Sequence, residues 1–300
     1  MTASDLHRRL HARPPYPTDE VYAFLEARAI SGVEVVEGRR YRRVVETAGG
    51  ARILELTAGP DRPGDPDDAT AIDLRLDVPV RPAELAVLER RARRALDLDA
   101  DPAAIVAALG GDPVIGPLVR GSPGRRLPGA LDPWAALVLA VAAQGVTVAS
   151  ARATLGRIAV RHGTPVRLGA HPALTRVFPG PERLVGADLA GLGLTGPRAR
   201  TVGLVARATA AGAIDLEGGE PAATLAALRE IPGIGPWTLG YVALRIHHDA
   251  DAFPPGDAAV RAAFRRLGLA ADDRSVSRAA EVWRPWRGYA LMHLWASLRL

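Results

Sequence analysis

Apolar positions change their period near residue 100. Between residues 33 and 78 they alternate or fall in short β-rich stretches at 33–37, 41–47 and 52–57, and most cleanly at 72–78. Gly38 and the pair Gly49-Gly50 punctuate these runs, so the pattern predicts antiparallel strands with one face buried and the other wet. Residues 83–98 take up helical spacing, with Leu85, Leu88 and Leu96 inward and Arg90, Arg91, Arg93 and Arg94 outward. Ahead of the strands, Pro14, Pro15 and Pro17 make residues 1–20 an extended basic lead-in. A short helix is predicted at 21–29, with Phe24 on its apolar face.

Beyond residue 100 the spacing is helical throughout, broken by Gly/Pro joints at 110–111, 116–117 and 121–129. A helix predicted at 132–144 buries Trp134, Leu137, Val138 and Val141, and three helical segments follow over 150–212. Near the C-terminus a helix through Val260, Phe264 and Leu267 leads to Trp283, Trp286, Tyr289 and Trp295, most of which read as core packing. The predicted class is mainly α with an N-terminal α+β domain. An antiparallel-sheet-plus-helix domain spans 1–99, and a helical domain of two lobes flanking a cleft spans 100–300.

The stretch at 228–257, LREIPGIGPWTLGYVALRIHHDADAFPPGD, carries the candidate chemistry. Leu225, Leu228 and Ile231 end one helical run, and Pro236 sits at the first turn of another. Between them Gly233 and Gly235 bracket Ile234, which permits a tight turn and close approach of backbone to a ligand. The result is a helix-hairpin-helix whose second helix presents unpaired N–H groups beside a glycine turn, a ready site for a phosphate oxygen.

Composition narrows the chemistry. The 300 residues contain no cysteine, which removes disulfides, cysteine zinc sites and iron–sulfur clusters. Lysine is also absent, since all 38 Lys+Arg residues are arginine, so Schiff-base chemistry lacks a side-chain amine. Charge is uneven: residues 1–120 hold 17 Arg against 20 Asp+Glu, net −3, and residues 121–300 hold 21 against 13, net +8. A basic half of this kind suits a polyanion, although an exposed basic surface needs no such partner. His247, His248 and His293 have no metal-ligand spacing, and the acidic Pro/Gly insert at 59–69 reads as a solvated loop. No apolar run approaches eighteen residues and no apolar leader opens the sequence, so a cytoplasmic protein with no membrane partner is expected.

The hairpin and its Pro254-Pro255-Gly256-Asp257 return resemble the helix-hairpin-helix and Gly-Pro-Asp region of base-excision DNA glycosylases, most closely the bacterial 3-methyladenine DNA glycosylase II family. The likeness extends through RPPYPTDEVYAFLEARAISGVE at 13–34, LPGALDPWAALVLAVAAQ at 127–144 and WRPWRGYALMHLWA at 283–296. It implies a monofunctional glycosylase that removes alkylated bases of the 3-methyladenine and 7-methylguanine type from double-stranded DNA, acting as a monomer and requiring no cofactor. Asp257 takes the catalytic position, and Trp237, Tyr241, Trp295 and Phe24 match the base pocket. Gly233, Gly235, Trp237 and Thr238 match the phosphate-holding hairpin. Backbone carbonyls of Arg229, Ile231 and Gly233 match a structural Na+ or K+ site. In bifunctional relatives a lysine opens the second hairpin helix, where this chain has Trp237.

Two positions depart from the family pattern. The apolar wedge that fills the gap left by a flipped nucleotide falls at Gly145, with Val146 next to it as a substitute, and the tyrosine common after the catalytic aspartate is Ala258. Gly145 is the feature that favours an alternative, a non-catalytic helix-hairpin-helix DNA-binding protein with impaired base flipping. Aspartate is also a preferred helix N-cap whatever its function, so Asp257 has a purely structural reading beside the catalytic one.

Overall fold

The computed structural model describes residues 6–59, 70–169 and 171–298. Most of the acidic insert, at 60–69, lies outside the described residues. Five antiparallel strands, β1 (His7–His11), β2 (Glu34–Glu37), β3 (Arg40–Thr47), β4 (Gly50–Ala58) and β5 (Ala71–Leu76), form a sheet in the order β1-β5-β4-β3-β2. The three hairpin-linked strands match the predicted stretches within a few residues. Strand β1 corrects the reading of 1–20 as a lead-in, because Arg8, Leu10 and His11 pair with Leu74, Ile72 and Ala71 of β5. With one apolar side chain among its five residues, β1 owes its place to the partner strand rather than to its own alternation.

Helices α1 (Thr18–Glu26) and α2 (Pro82–Leu96) cover one face of this sheet. Leu85, Leu88, Ala92 and Leu96 of α2 join Val21 and Tyr22 of α1 and Leu54, Leu56, Ile72 and Leu74 of the strands in one core. Arg90 and Arg94 of α2 are exposed, whereas Arg91 and Arg93 are half-buried in pairs with Glu217 and Asp99. The other face is not simply wet. Val44 and Ile53 pack there against Leu174 and Val177, the latter in β7 (Arg176–Val177), which pairs with β6 (Thr164–Pro165). This small ladder also interrupts the all-helical reading after residue 100.

The remaining helices are α3 (Pro102–Leu109), α4 (Gly116–Gly121), α5 (Pro133–Ala142), α6 (Val148–His162), α7 (Pro181–Leu184), α8 (Gly196–Ala210), α9 (Pro221–Arg229), α10 (Pro236–Arg245), α11 (Ala258–Arg266), α12 (Asp273–Glu281) and α13 (Arg287–Ser297). They form two cores. One collects Leu137, Leu155, Val202, Leu228 and Ile234, and the other collects Leu109, Val119, Val260, Phe264, Trp283 and Leu291. Helix α10 belongs to both, with Val242 in the first and Ala243 and Leu244 in the second. Its C-terminal half therefore lies at the junction of the two cores, and the fold is mainly helical behind an N-terminal antiparallel sheet. Among the described residues no helix is long and apolar enough to cross a membrane.

Candidate active site

The hairpin is built around glycine. Gly233 has φ +92°, and a Cβ placed on it would meet Thr201 Oγ1 at 2.2 Å, so both conformation and packing require the bare backbone. Thr201 Oγ1 donates to Pro232 O at 2.9 Å, which ties the turn to α8. Gly235 occupies the N-cap of α10 without a side-chain cap, and Pro236 follows at N1. The first N–H groups of α10 thus carry no capping side chain, unlike those of α5, α6, α11 and α12, each held by an Asp or Thr oxygen.

The loop from α10 back to α11 returns across the helix that it left. A Cβ on Gly240 would come within 2.7 Å of Pro254 Cα, so glycine lets the proline loop lie against α10. Gly256, at φ +69°, then turns the chain into α11. Asp257 lands at the N-cap of α11, only 7% exposed. Its Oδ1 accepts from Val260 N at 2.9 Å and from Trp295 Nε1 at 3.1 Å, and Oδ2 accepts from Trp237 Nε1 at 2.8 Å. Capping and placement beside the hairpin are therefore both features of this one side chain. The two indoles, from α10 and α13, fix the carboxylate between them.

The remaining aromatics are arranged unequally. Trp237 and Tyr241 stack with ring centroids 5.2 Å apart and an interplanar angle of 24°. Phe24, in α1, is buried in the second helical core, with Arg28 Cζ 3.5 Å and Arg245 Cζ 4.5 Å from its ring centroid. Burial alone would raise the Tyr241 hydroxyl pKa, but Arg245 and Arg28 more than offset this and lower it. Phe24 and Trp295 also wall a cavity of about 550 Å³ between α1, α4 and α13, which Trp237, Tyr241 and Asp257 do not line. His293 lines the same cavity and is pushed down to about 3 by burial and by Arg125.

Several participants had little local signal. Gln144, just past α5, donates from Nε2 to Gly233 O at 2.8 Å and to Thr238 Oγ1 at 3.0 Å, joining the turn after α5 to the hairpin. Gly145 follows at φ +65°, in the left-handed region, where it ends the helix. Val146 beside it is 39% exposed and is the apolar side chain that this turn presents. Gly240 had a signal, because glycine inside a helical pattern points to close packing. Leu192, in the Leu192-Gly193-Leu194 turn, is buried, and its carbonyl accepts from Arg157 Nε at 2.8 Å. Of the carbonyls matched to a cation site, Ile231 O accepts from Ile234 N and Gly233 O from Gln144, and each keeps a second lone pair. Among the described residues no group of three or more His, Cys, Asp or Glu side chains is placed to hold a metal.

Residues 7–132 match the family model of the AlkA N-terminal domain. The DNA-3-methyladenine glycosylase 2 of Escherichia coli strain K12 is 33% identical over 290 residues, covering 95% of each chain. The chain belongs to the DNA-3-methyladenine glycosylase 2 (AlkA) family. A probable bifunctional transcriptional activator/DNA repair enzyme AlkA of Mycobacterium tuberculosis is 37% identical over 298 residues, 99% of this chain. The chain spans only 58% of that relative's length. The solved 3-methyladenine DNA-glycosylase of Archaeoglobus fulgidus shares the AlkA-family fold at a TM-score of 0.78 over 98% of both chains, with 19% identity. A Clostridium acetobutylicum 8-oxoguanine glycosylase/lyase, solved with double-stranded DNA, overlays at a TM-score of 0.67 over 89% of this chain and 87% of its own, with 17% identity.

Proposed function

We propose that the protein is a monofunctional DNA glycosylase that hydrolyses the N-glycosidic bond of alkylated bases in duplex DNA, with Asp257 as the catalytic carboxylate. The observation that carries this reading is the carboxylate held by the indole N–H groups of Trp237 and Trp295 beside an uncapped helix-hairpin-helix. A target base has to leave the stack before its glycosidic bond can be reached. As the C1′–N bond breaks, its electron pair departs with the base and positive charge builds on the sugar, as in other glycoside cleavages. A fixed carboxylate stabilises that charge without reorganising. Water then adds to C1′ and gives up a proton, which Asp257 can accept.

DNA enters through the hairpin, where the N–H groups around Gly233, Gly235, Trp237 and Thr238 take a backbone phosphate. The carbonyls of Arg229, Ile231 and Gly233 are the donors for a structural Na+ or K+ there. The Trp237–Tyr241 stack offers an electron-rich face to a cationic alkylated purine, worth roughly 0.5–2 kcal/mol per contact. Val146 takes the wedge position in place of Gly145, which supports an active glycosylase over a binding-only protein. Two names among the relatives, DNA-3-methyladenine glycosylase 2 and 3-methyladenine DNA-glycosylase, support the lesion class. The test is incubation with methylated duplex DNA, scoring released base and alkali-labile sites. Release of 3-methyladenine or 7-methylguanine is expected, and binding without release would leave the binding-only alternative standing.

A further inference from the structure

Gly145 leaves the wedge position without a side chain, and a cation from another helix lies over it. A Cβ built on Gly145 would sit 3.5 Å from Nη2 of Arg198, in the first turn of α8. The guanidinium thus lies directly against the place from which a wedge side chain would extend. Arg198 is only partly exposed, yet no hydrogen bond or ion pair joins it to another described residue, and none of its nitrogens is buried. Its five N–H donors are therefore free and open to a ligand.

The surroundings put this side chain on the face that carries the hairpin. Thr201, one turn further along α8, donates to Pro232 O at 2.9 Å, and Gln144, the neighbour of Gly145, donates to Gly233 O at 2.8 Å. Arg198, Val146 and the hairpin therefore form one contiguous surface. When a nucleotide is extruded, the base opposite it loses its partner, and its Watson–Crick edge is left with polar groups that cost free energy until something answers them. A guanidinium donates and cannot accept, and its planar fork matches two adjacent acceptors. Cytosine offers such a pair in O2 and N3. Thymine sets its N3–H donor between two carbonyls, so the fork meets one acceptor there and one opposing donor.

We propose that Arg198 is a specificity-determining residue that enters the duplex beside Val146 and hydrogen-bonds the base left opposite the extruded lesion, favouring cytosine over thymine. This role rests on the reading of the hairpin face as the DNA-binding surface and deepens it. Alkylated guanine, whose partner is cytosine, is better served than alkylated adenine, whose partner is thymine. An apolar insert with an arginine beside it suits the minor groove, where arginine reads base edges and apolar side chains part the stack. A contact to backbone phosphate alone would position the duplex without regard to the base.

The experiment measures equilibrium binding of the full chain to duplexes carrying a tetrahydrofuran abasic analogue opposite cytosine, thymine or a second tetrahydrofuran. No base has to be extruded or released there, so the result does not depend on catalysis. Cytosine is expected to bind at least about fivefold more tightly than thymine, and Arg198→Met to remove that difference. Arg200→Met takes the same charge from an exposed neighbour on α8 and is expected to preserve it. Equal affinity for cytosine and thymine in the unaltered protein, or a difference that survives Arg198→Met, would overturn the assignment. So would a uniform loss across all three duplexes with a salt slope lower by about one, which would make Arg198 a phosphate contact. A cytosine preference lost in Arg198→Met, in a chain that releases no base from methylated DNA, would sink the glycosylase reading and leave this role of Arg198 standing.

Discussion

Asp257 caps α11 through Val260 and also receives the two indoles, so its substitutions separate structure from chemistry. Asparagine caps about as well as aspartate, whereas alanine costs roughly 1 kcal/mol at such a position. Denaturant unfolding should therefore place Asp257→Asn above Asp257→Ala and both below the unaltered protein, because asparagine keeps the cap through Oδ1 but sets its amide NH2 against the Trp237 Nε1–H donor that Oδ2 accepted. Equal loss in both would mean that capping contributes little. At φ +65° a bulky side chain at Gly145 is strained by about 1–2 kcal/mol, so Gly145→Leu is a poor test of the wedge. Val146→Ala is the better one. It should lower excision from well-paired sites several-fold and leave single-stranded substrate almost unchanged, because only the paired base has to be driven out at a cost of a few kcal/mol. An equal effect on both substrates would remove Val146 from base extrusion. The sequence placed Asp257, Trp237 and Trp295 near one another only through their place in a motif. It gave no sign that both indoles would donate to the carboxylate, because Trp295 is 38 residues away.

At the scale of elements, the link between α5 and the hairpin is the feature that local reading missed. Gln144 bridges 89 residues to Gly233, and a polar residue at a helix end has no periodic signature to reveal such a bond. Gln144→Met keeps the length but loses both hydrogen bonds, each worth about 0.5–1.5 kcal/mol. Excision from paired sites should fall by about tenfold, which corresponds to 1.4 kcal/mol of lost transition-state stabilisation, while affinity for undamaged duplex changes little. A matching loss of duplex affinity would make Gln144 a support for the phosphate site rather than for extrusion. Helices with strong spacing, such as α2, α5 and α10, were legible to within a few residues, and so were the hairpin strands β2 to β4. Strand β1 and the β6–β7 ladder were not, since they exist through their partners and carry little apolar pattern themselves.

Across the whole molecule the change of period near residue 100 marks the passage from the N-terminal sheet to the helices. The sheet's second face escaped prediction because its cover, Leu174 and Val177, comes from more than a hundred residues downstream. Absence of lysine from all 300 positions has a consequence at this scale that does not depend on any local geometry. The product strand should stay intact with an abasic site, and borohydride should trap no protein–DNA adduct; a trapped adduct would point to the N-terminal amine as a nucleophile. Hydrolysis driven by the Asp257 carboxylate is tested most directly by single-turnover excision of 3-methyladenine from duplex DNA by Asp257→Asn. A fall of at least about a hundredfold is expected, with the fold and duplex binding retained. Excision within a few-fold of the unaltered protein would contradict it.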